Sequence, residues 1–268
     1  MRLERIADLE DPRLADYRDL KASRRRGGFV VEGWLLVRTL LTAARFRARS
    51  VLATEAALER LRDVLDGLGE RIPVYVARAE TISGVVGYAF HRGCLALGES
   101  RVELSLDDVL GRAEGRLLVV LEDVTNPDNL GGVFRNAMAF GADAVVLSPG
   151  CGDPLYRKAI RVSMGGSLTT PFTRVAEWPR GLERVRGAGF TLVALTPSAA
   201  VDIAELGRTR PVPERVALLI GAEGEGLSRA ARAAADVEVA IRMVPGVDSL
   251  NVATASGIAL HRLAAAPR

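Results

Sequence analysis

The stretch Leu117-Leu118-Val119-Val120-Leu121-Glu122-Asp123-Val124-Thr125-Asn126-Pro127-Asp128-Asn129-Leu130-Gly131-Gly132-Val133-Phe134-Arg135-Asn136 decides the fold. Its first five residues are all apolar. A continuous apolar run of that length suits a strand buried on both faces, as in a parallel sheet. A polar, glycine-bearing segment follows and leads into a helix predicted over residues 130–140. Similar runs recur at Ala144–Leu147, Thr191–Leu195 and Val216–Ile220. Helical segments are predicted between them at 155–162 and 181–187, and a last one at 250–263. The alternation predicts an open α/β domain with a mostly parallel sheet, whose ligands bind at the carboxyl ends of the strands.

Upstream, residues 12–20 read as a short helix, and residues 21–28 as a basic loop. Strands are predicted at 29–31, 48–52, 73–77 and 92–97, with helices at 32–44 and 55–68. This is a small α/β domain over residues 1–105. The polar, glycine-punctuated stretch 98–115 reads as the linker to a second domain over 116–268. At 268 residues the chain has room for two modest domains.

Composition narrows the class. Hydrophobic residues make up 49% and charged residues 26%, which excludes a disordered, collagen-like or coiled-coil chain. No apolar run approaches the ~20 residues of a membrane span, and the amino terminus lacks the apolar core of a secretory signal. Cys94 and Cys151 form no CxxC pair, no metal-ligand pattern is present, and the cytoplasm is the expected compartment. Of the 36 basic residues only Lys21 and Lys158 are lysine. GC-rich coding yields such a bias, but arginine's planar fork also suits phosphate and base contacts. The net charge of +3 lies within residues 1–105, densest at Lys21, Arg24, Arg25 and Arg26.

Two further segments follow strands. Gly221-Ala222-Glu223-Gly224-Glu225-Gly226-Leu227-Ser228 has three glycines that permit close backbone approach to a ligand. Its order is GxxGxG, no P-loop follows, and its two acids repel phosphate, so a dinucleotide-dependent oxidoreductase is disfavoured. Ile241-Arg242-Met243-Val244-Pro245-Gly246-Val247-Asp248-Ser249-Leu250-Asn251 runs into a helix of small residues, Ala253 to Gly257. Ser249 or Asn251 could cap that helix. The small residues would let another helix pack closely.

Together the three segments resemble the SpoU/TrmH branch of the SPOUT methyltransferases. The matching motifs are Asn129-Leu-Gly-Gly-Val-Phe-Arg135, Gly221-Ala-Glu-Gly-Glu-Gly-Leu-Ser228 and Ser249-Leu-Asn251, in the family's order. The passage Arg157-Lys158-Ala-Ile-Arg161-Val-Ser163-Met164-Gly165 also looks like the family's. Residues ~8–100 look like the L30e-like RNA substrate-binding domain often fused ahead of it, through Phe29-Val-Val-Glu-Gly33 and His91-Arg92-Gly93. Two positions depart from the pattern. Arg242 stands where the family usually has proline, and Arg92 where it commonly has glutamine.

The resemblance implies transfer of a methyl group from S-adenosylmethionine to a ribose 2′-hydroxyl of structured RNA, with rRNA ahead of tRNA. The alternative is a catalytically inactive RNA-binding protein of the same fold. It implies catalytic roles for Arg135, Asn129, Glu223, Ser249 and Asn251. Cofactor contacts are implied at Thr196, Gly221, Gly226, Ile241, Met243 and Leu250. It also implies a trefoil knot in the C-terminal domain, a homodimer, and neither metal nor membrane. Arginine normally stays charged, so Arg135 either accepts a proton in an unusual environment or orients phosphate and ribose. RNA contacts are expected at Arg24, Arg25 and Arg26.

Each such phosphate contact adds a slope of roughly −0.7 to −0.9 to log K against log salt. Changing Arg24, Arg25 and Arg26 to alanine is expected to weaken RNA binding and flatten that slope while cofactor binding stays unchanged. An unchanged slope would assign the cluster a solubilising role only.

Overall fold

The computed structural model describes residues 2–18, 27–112 and 115–264. The expected RNA contacts Arg24, Arg25 and Arg26 therefore lie outside the described residues. The chain forms two compact units, Met1–Glu103 with Leu155–Thr169, and Leu104–Pro154 with Thr170–Arg268.

In the first unit, strands β1 (Arg2–Arg5), β2 (Gly28–Glu32), β3 (Phe46–Ala53), β4 (Pro73–Val76) and β5 (Cys94–Ser100) form a mixed sheet in the order β1-β4-β3-β5-β2. β1, β4 and β3 are parallel, and β5 is antiparallel to both β3 and β2. Helices α1 (Ala15–Arg18), α2 (Trp34–Thr42), α3 (Glu55–Leu68) and α4 (Ala79–Val86) pack around it. α3 has the predicted limits because Thr54 caps it, its hydroxyl accepting from the Ala57 N–H. The core includes Leu14, Tyr17, Leu52, Ile82 and Leu95. Burial pushes the Cys94 thiol up to about 12, so it stays protonated and packs as a small apolar group.

The second unit opens with α5 (Leu106–Arg112), then β6 (Leu117–Leu121), α6 (Pro127–Ala139) and β7 (Ala144–Leu147). The next helices, α7 (Arg157–Val162) and α8 (Gly166–Thr169), belong to the first unit. The chain then returns to the second with β8 (Phe172–Arg174), α9 (Arg180–Gly187), β9 (Thr191–Leu195), β10 (Val201–Asp202), β11 (Val216–Ile220), α10 (Arg229–Ala234), β12 (Val237–Ala240) and α11 (Val252–Ala264). The sheet order is β10-β12-β9-β11-β6-β7-β8, with every described pairing parallel. The α/β class with a parallel sheet is as expected.

Each face of this sheet is covered, which is why its strands read as unbroken apolar runs. On β6, Leu117, Val119 and Leu121 face a core with α6 and α11, while Leu118 and Val120 face one with α5, α9 and α10. The register aligns Leu121 with Ile220, Leu219 with Ala194, and Leu195 with Val239. The loops after β6, β9, β11 and β12 therefore leave the sheet at the same, carboxyl, end of its strands.

The expected linker 98–115 needs correction. β5 continues to Ser100, and α5 occupies Leu106–Arg112 with Leu106 and Val109 buried in the second core. Its apolar residues are too few for a strong periodic signal, and only the sheet they cover reveals them. The domain expected over 116–268 also surrenders Leu155–Thr169 to the first unit. β8 and β10 escaped prediction because two or three residues carry little pattern, and β12 because Glu238 interrupts its apolar run.

α6 and α11 cross at small residues, as the run Ala253 to Gly257 suggests. A Cβ on Gly132 would lie 2.4 Å from the Ala253 Cβ, and Asn136 Nδ2 donates to the Ala253 carbonyl at 2.7 Å and the Ser256 Oγ at 2.9 Å. Gly132→Ala gains helix propensity but loses more to overpacking, with an expected net destabilisation of ~1–3 kcal/mol. Adding Ala253→Gly should recover part of it. Denaturation midpoints of the single and double variants check this.

Candidate active site

The motif-one loop is shaped by the strand that precedes it. Asn126 caps α6 through its side-chain oxygen, which accepts from Asp128 N–H at 2.8 Å, and Pro127 supplies the first-turn φ. The helix thus starts three residues before the predicted 130. This places Asn129 within its first turn, buried, rather than in the loop. Asp123, the second residue after β6, has φ 55°, which aspartate tolerates better than most residues. Its N–H donates to Ser148 Oγ at 2.9 Å, and that hydroxyl donates back to Asp123 Oδ1 at 2.7 Å.

The motif-two turn closes on itself. A Cβ on Gly221 would sit 2.1 Å from the Gly226 carbonyl carbon, so only glycine permits this approach. Motif three ends at Asn251, whose Oδ1 accepts from the N–H groups of Ala253 at 2.9 Å and Thr254 at 3.2 Å. The cap anticipated for Ser249 or Asn251 is Asn251. The same side chain donates from Nδ2 to Asn129 Oδ1 at 2.8 Å and to Glu223 Oε1 at 3.0 Å. One residue from each motif meets there.

Beside this junction is a cavity of about 440 Å³. All six expected cofactor residues line it: Thr196, Gly221, Gly226, Ile241, Met243 and Leu250. Glu223 and Ser249 line it too, together with Asp248. Its volume falls within the ~300–1,000 Å³ of small-molecule sites. Apolar Leu195, Ile220 and Val252 give it an unpolar wall, and two carboxylates border it. The apolar wall and the two carboxylate acceptors favour a ligand with an apolar part and a cationic part over a pyrophosphate. Arg242, in the place of the usual proline, donates to the Ala200 carbonyl, tying the motif-three loop to the segment after β9.

Arg135 stands apart. It is six residues beyond Asn129 on α6, exposed, and it neither lines the cavity nor joins the Asn129–Asn251–Glu223 junction. Both residues lie within α6, where an offset of six positions turns their side chains about 120° apart.

Two supporting residues were not anticipated. Glu122 is buried at the end of β6 and accepts from Trp178 Nε1 at 2.5 Å, Ser228 N–H at 2.7 Å and Ser228 Oγ at 2.8 Å. It pins the end of the motif-two turn. An acid directly abutting an apolar strand is the signal that could have found it. Arg174, on β8, donates to the carbonyls of Ser148, Pro149 and Cys151 from Nη1 and to that of Gly152 from Nη2, at 2.8–2.9 Å. It gathers the loop after β7, which meets motif one through Gly152 N–H to the Val124 carbonyl at 2.9 Å. Nothing in the local sequence announces that role.

A parallel α/β sheet with its cavity and polar junction at the strand carboxyl ends defines a ligand-binding enzyme fold. Comparison with known proteins makes the class specific. Residues 116–261 match the SpoU rRNA Methylase family. A tRNA/rRNA methyltransferase of Mycobacterium bovis, itself uncharacterized, is 42% identical over 96% of this chain and 90% of the relative. The 23S rRNA (guanosine-2′-O-)-methyltransferase RlmB of Ralstonia nicotianae is 35% identical over 68% of this chain and 72% of its own. The crystal structure of an AdoMet-bound rRNA methyltransferase from Sinorhizobium meliloti superposes with a TM-score of 0.81, at 26% identity, over 97% of each chain. The chain belongs to the SpoU rRNA methylase family, and it is a methyltransferase of that class.

Among the described residues, no three His, Cys, Asp or Glu side chains cluster to hold a metal, and no helix is long and apolar enough to cross a membrane.

Glu122→Gln keeps the shape but turns an NH2 group toward donors. Hydrogen bonds to a charged group contribute ~1.5–3 kcal/mol, so stability should fall by about 2 kcal/mol. S-adenosylmethionine affinity should fall by roughly tenfold as the motif-two turn loosens. Calorimetry and denaturation together measure both.

Proposed function

We propose that this chain transfers the methyl group of S-adenosylmethionine to a ribose 2′-hydroxyl in ribosomal RNA. The observation that carries this reading is the single cavity where Thr196, Gly221, Gly226, Ile241, Met243 and Leu250 meet, with Glu223 and Ser249 beside them. The AdoMet-bound neighbour supports the cofactor. The reaction named for the Ralstonia relative makes a guanosine of 23S rRNA the finer reading of the substrate.

The cavity fits the cofactor. Leu195, Ile220 and Val252 give it an apolar wall, and Glu223 and Asp248 offer negative charge to a cationic ligand. When bound, the cofactor supplies a sulfonium methyl, already activated for transfer. The protein's contribution is then mainly orientation. Backbone groups at Gly221, Ile241 and Leu250 hold the cofactor, and Thr196 closes the site from the end of β9. Asn251 fixes Glu223 and Asn129, and Ser249 positions the reacting hydroxyl. Arg135, with five donors and no acceptor, holds phosphate and ribose oxygens.

Because Arg135 lies outside the cavity of its own chain, the reading includes a homodimer. Met138 on α6, 39% exposed, and Ile258 on α11, 42% exposed, offer apolar surface for a second copy. A trefoil knot through the cofactor loops, an L30e-like RNA-binding role for the first unit and a cytoplasmic location complete the proposal. An inactive RNA-binding role is disfavoured, because such a protein needs neither the cavity nor the Asn129–Asn251–Glu223 junction.

Arg135→Ala is expected to lower methyl transfer at least roughly a hundredfold while cofactor affinity barely changes, and Arg135→Lys should not restore it. Transfer of labelled methyl to rRNA, with mapping of 2′-O-methylation in total RNA with and without the gene, reads both activity and target. Near-normal turnover of the alanine variant would remove Arg135 from the site.

A further inference from the structure

The first unit has a cleft of its own, of about 710 Å³, lined by Glu32, Trp34, Arg60, Arg92, Arg161 and Met164 among others. Its chemistry is uneven. The Arg60 guanidinium lies 5.3 Å from the centre of the Trp34 ring, and Met164 and Leu35 are each 44% exposed at the cleft. Glu32, the one carboxylate lining it, is buried and already matched. Its Oε1 accepts from Tyr88 OH at 2.7 Å and Arg157 Nη1 at 2.8 Å, and Arg92 Nε lies 3.7 Å from Oε2. Burial, then the bond to Glu32, raises the Tyr88 hydroxyl above its ordinary range, so it remains the donor in this set.

Arg60 and Arg161 have no carboxylate in ion-pair range among the described residues. The cleft thus presents an indole, a thioether and two unmatched guanidinium groups. Arg161 and Met164 come from α7 and the turn after it, the passage that resembles the family's motif yet takes no part in the cofactor cavity. The Arg157–Glu32 pair holds α7 to β2, and Gly165 lets the turn approach α2: a Cβ there would lie 3.3 Å from Leu36 Cδ2.

We propose that this cleft takes a single unpaired nucleotide of the RNA substrate, its base stacked on Trp34 and its flanking phosphates on Arg60 and Arg161. The inference rests on the reading of RNA as substrate and adds to it a mode of recognition. An unstacked base has a flat π face for the indole, and its backbone has the charge that the guanidinium groups lack a partner for. At about 710 Å³ the cleft has room for a nucleotide. Recognition of a splayed-out base would let the first unit select a loop or bulge before the second unit methylates.

The test uses the full-length protein with in vitro transcribed 23S rRNA. Saturating RNA should quench a fluorescence component that is present in the wild type and missing from Trp34→Phe. Trp34→Leu and Arg161→Ala should each raise the KM for RNA roughly tenfold, with kcat and S-adenosylmethionine affinity nearly unchanged, and Trp34→Phe should recover most of the loss. Arg161→Ala carries the test if Trp34→Leu fails to fold. A Trp34 signal unmoved by RNA, an unchanged KM in Arg161→Ala, or equal competition by a blunt RNA duplex would overturn the proposal. A wild-type protein that shows the quench but transfers no methyl group would instead defeat the proposed reaction and leave the cleft standing.

Discussion

The carboxamide of Asn251 works at both ends. Its oxygen accepts from Ala253 and Thr254 and starts α11, while its nitrogen donates to Asn129 and Glu223. A single side chain therefore sets the beginning of the last helix and joins the first turn of α6 to the loops after β11 and β12. The junction is possible because the parallel register brings those strands' carboxyl ends to one side of the sheet. The cavity beside it inherits its shape from these same loops.

Around the junction stand groups that hold the backbone rather than reach the ligand. Glu122 anchors Ser228 and Trp178 from within the protein, where an unmatched carboxylate would be costly and three donors make it favourable. Arg174 draws four carbonyls toward one guanidinium. Gly132 and Ala253 let α6 and α11 approach closely enough for Asn136 to bridge them. Removing any of these would shift loops that must be placed within a fraction of an ångström for orientation to work.

The connection between β7 and β8 is unusual in where it spends its residues. Instead of returning directly to the sheet, it contributes α7 and α8 to the first unit, held by Arg157 on buried Glu32. The two units are thus not sequential beads on the chain. The same connection walls one side of the Trp34 cleft, so a motif that has no part in the cofactor cavity gains a physical role in the other unit.

Much of the architecture was legible in the residues alone. Unbroken apolar runs marked β6, β7, β9 and β11, because a strand covered on both faces needs no polar positions. Glycines and small residues marked Gly221 and the α11 face, because backbone contact leaves no room for side chains. The residues that the motif resemblance assigned to a cofactor, Thr196, Gly221, Gly226, Ile241, Met243 and Leu250, line one cavity. The tertiary structure alone decided the rest. It placed α5 with the second core and 155–169 with the first unit, since a few apolar residues declare no partner until a surface covers them. It turned Arg135 away from Asn129, since a motif states spacing along the chain but not the start of the helix that sets direction. It also assembled Glu122 and Arg174 with partners 22 to 106 residues distant, contacts that no local pattern encodes because they exist only once the sheet has formed.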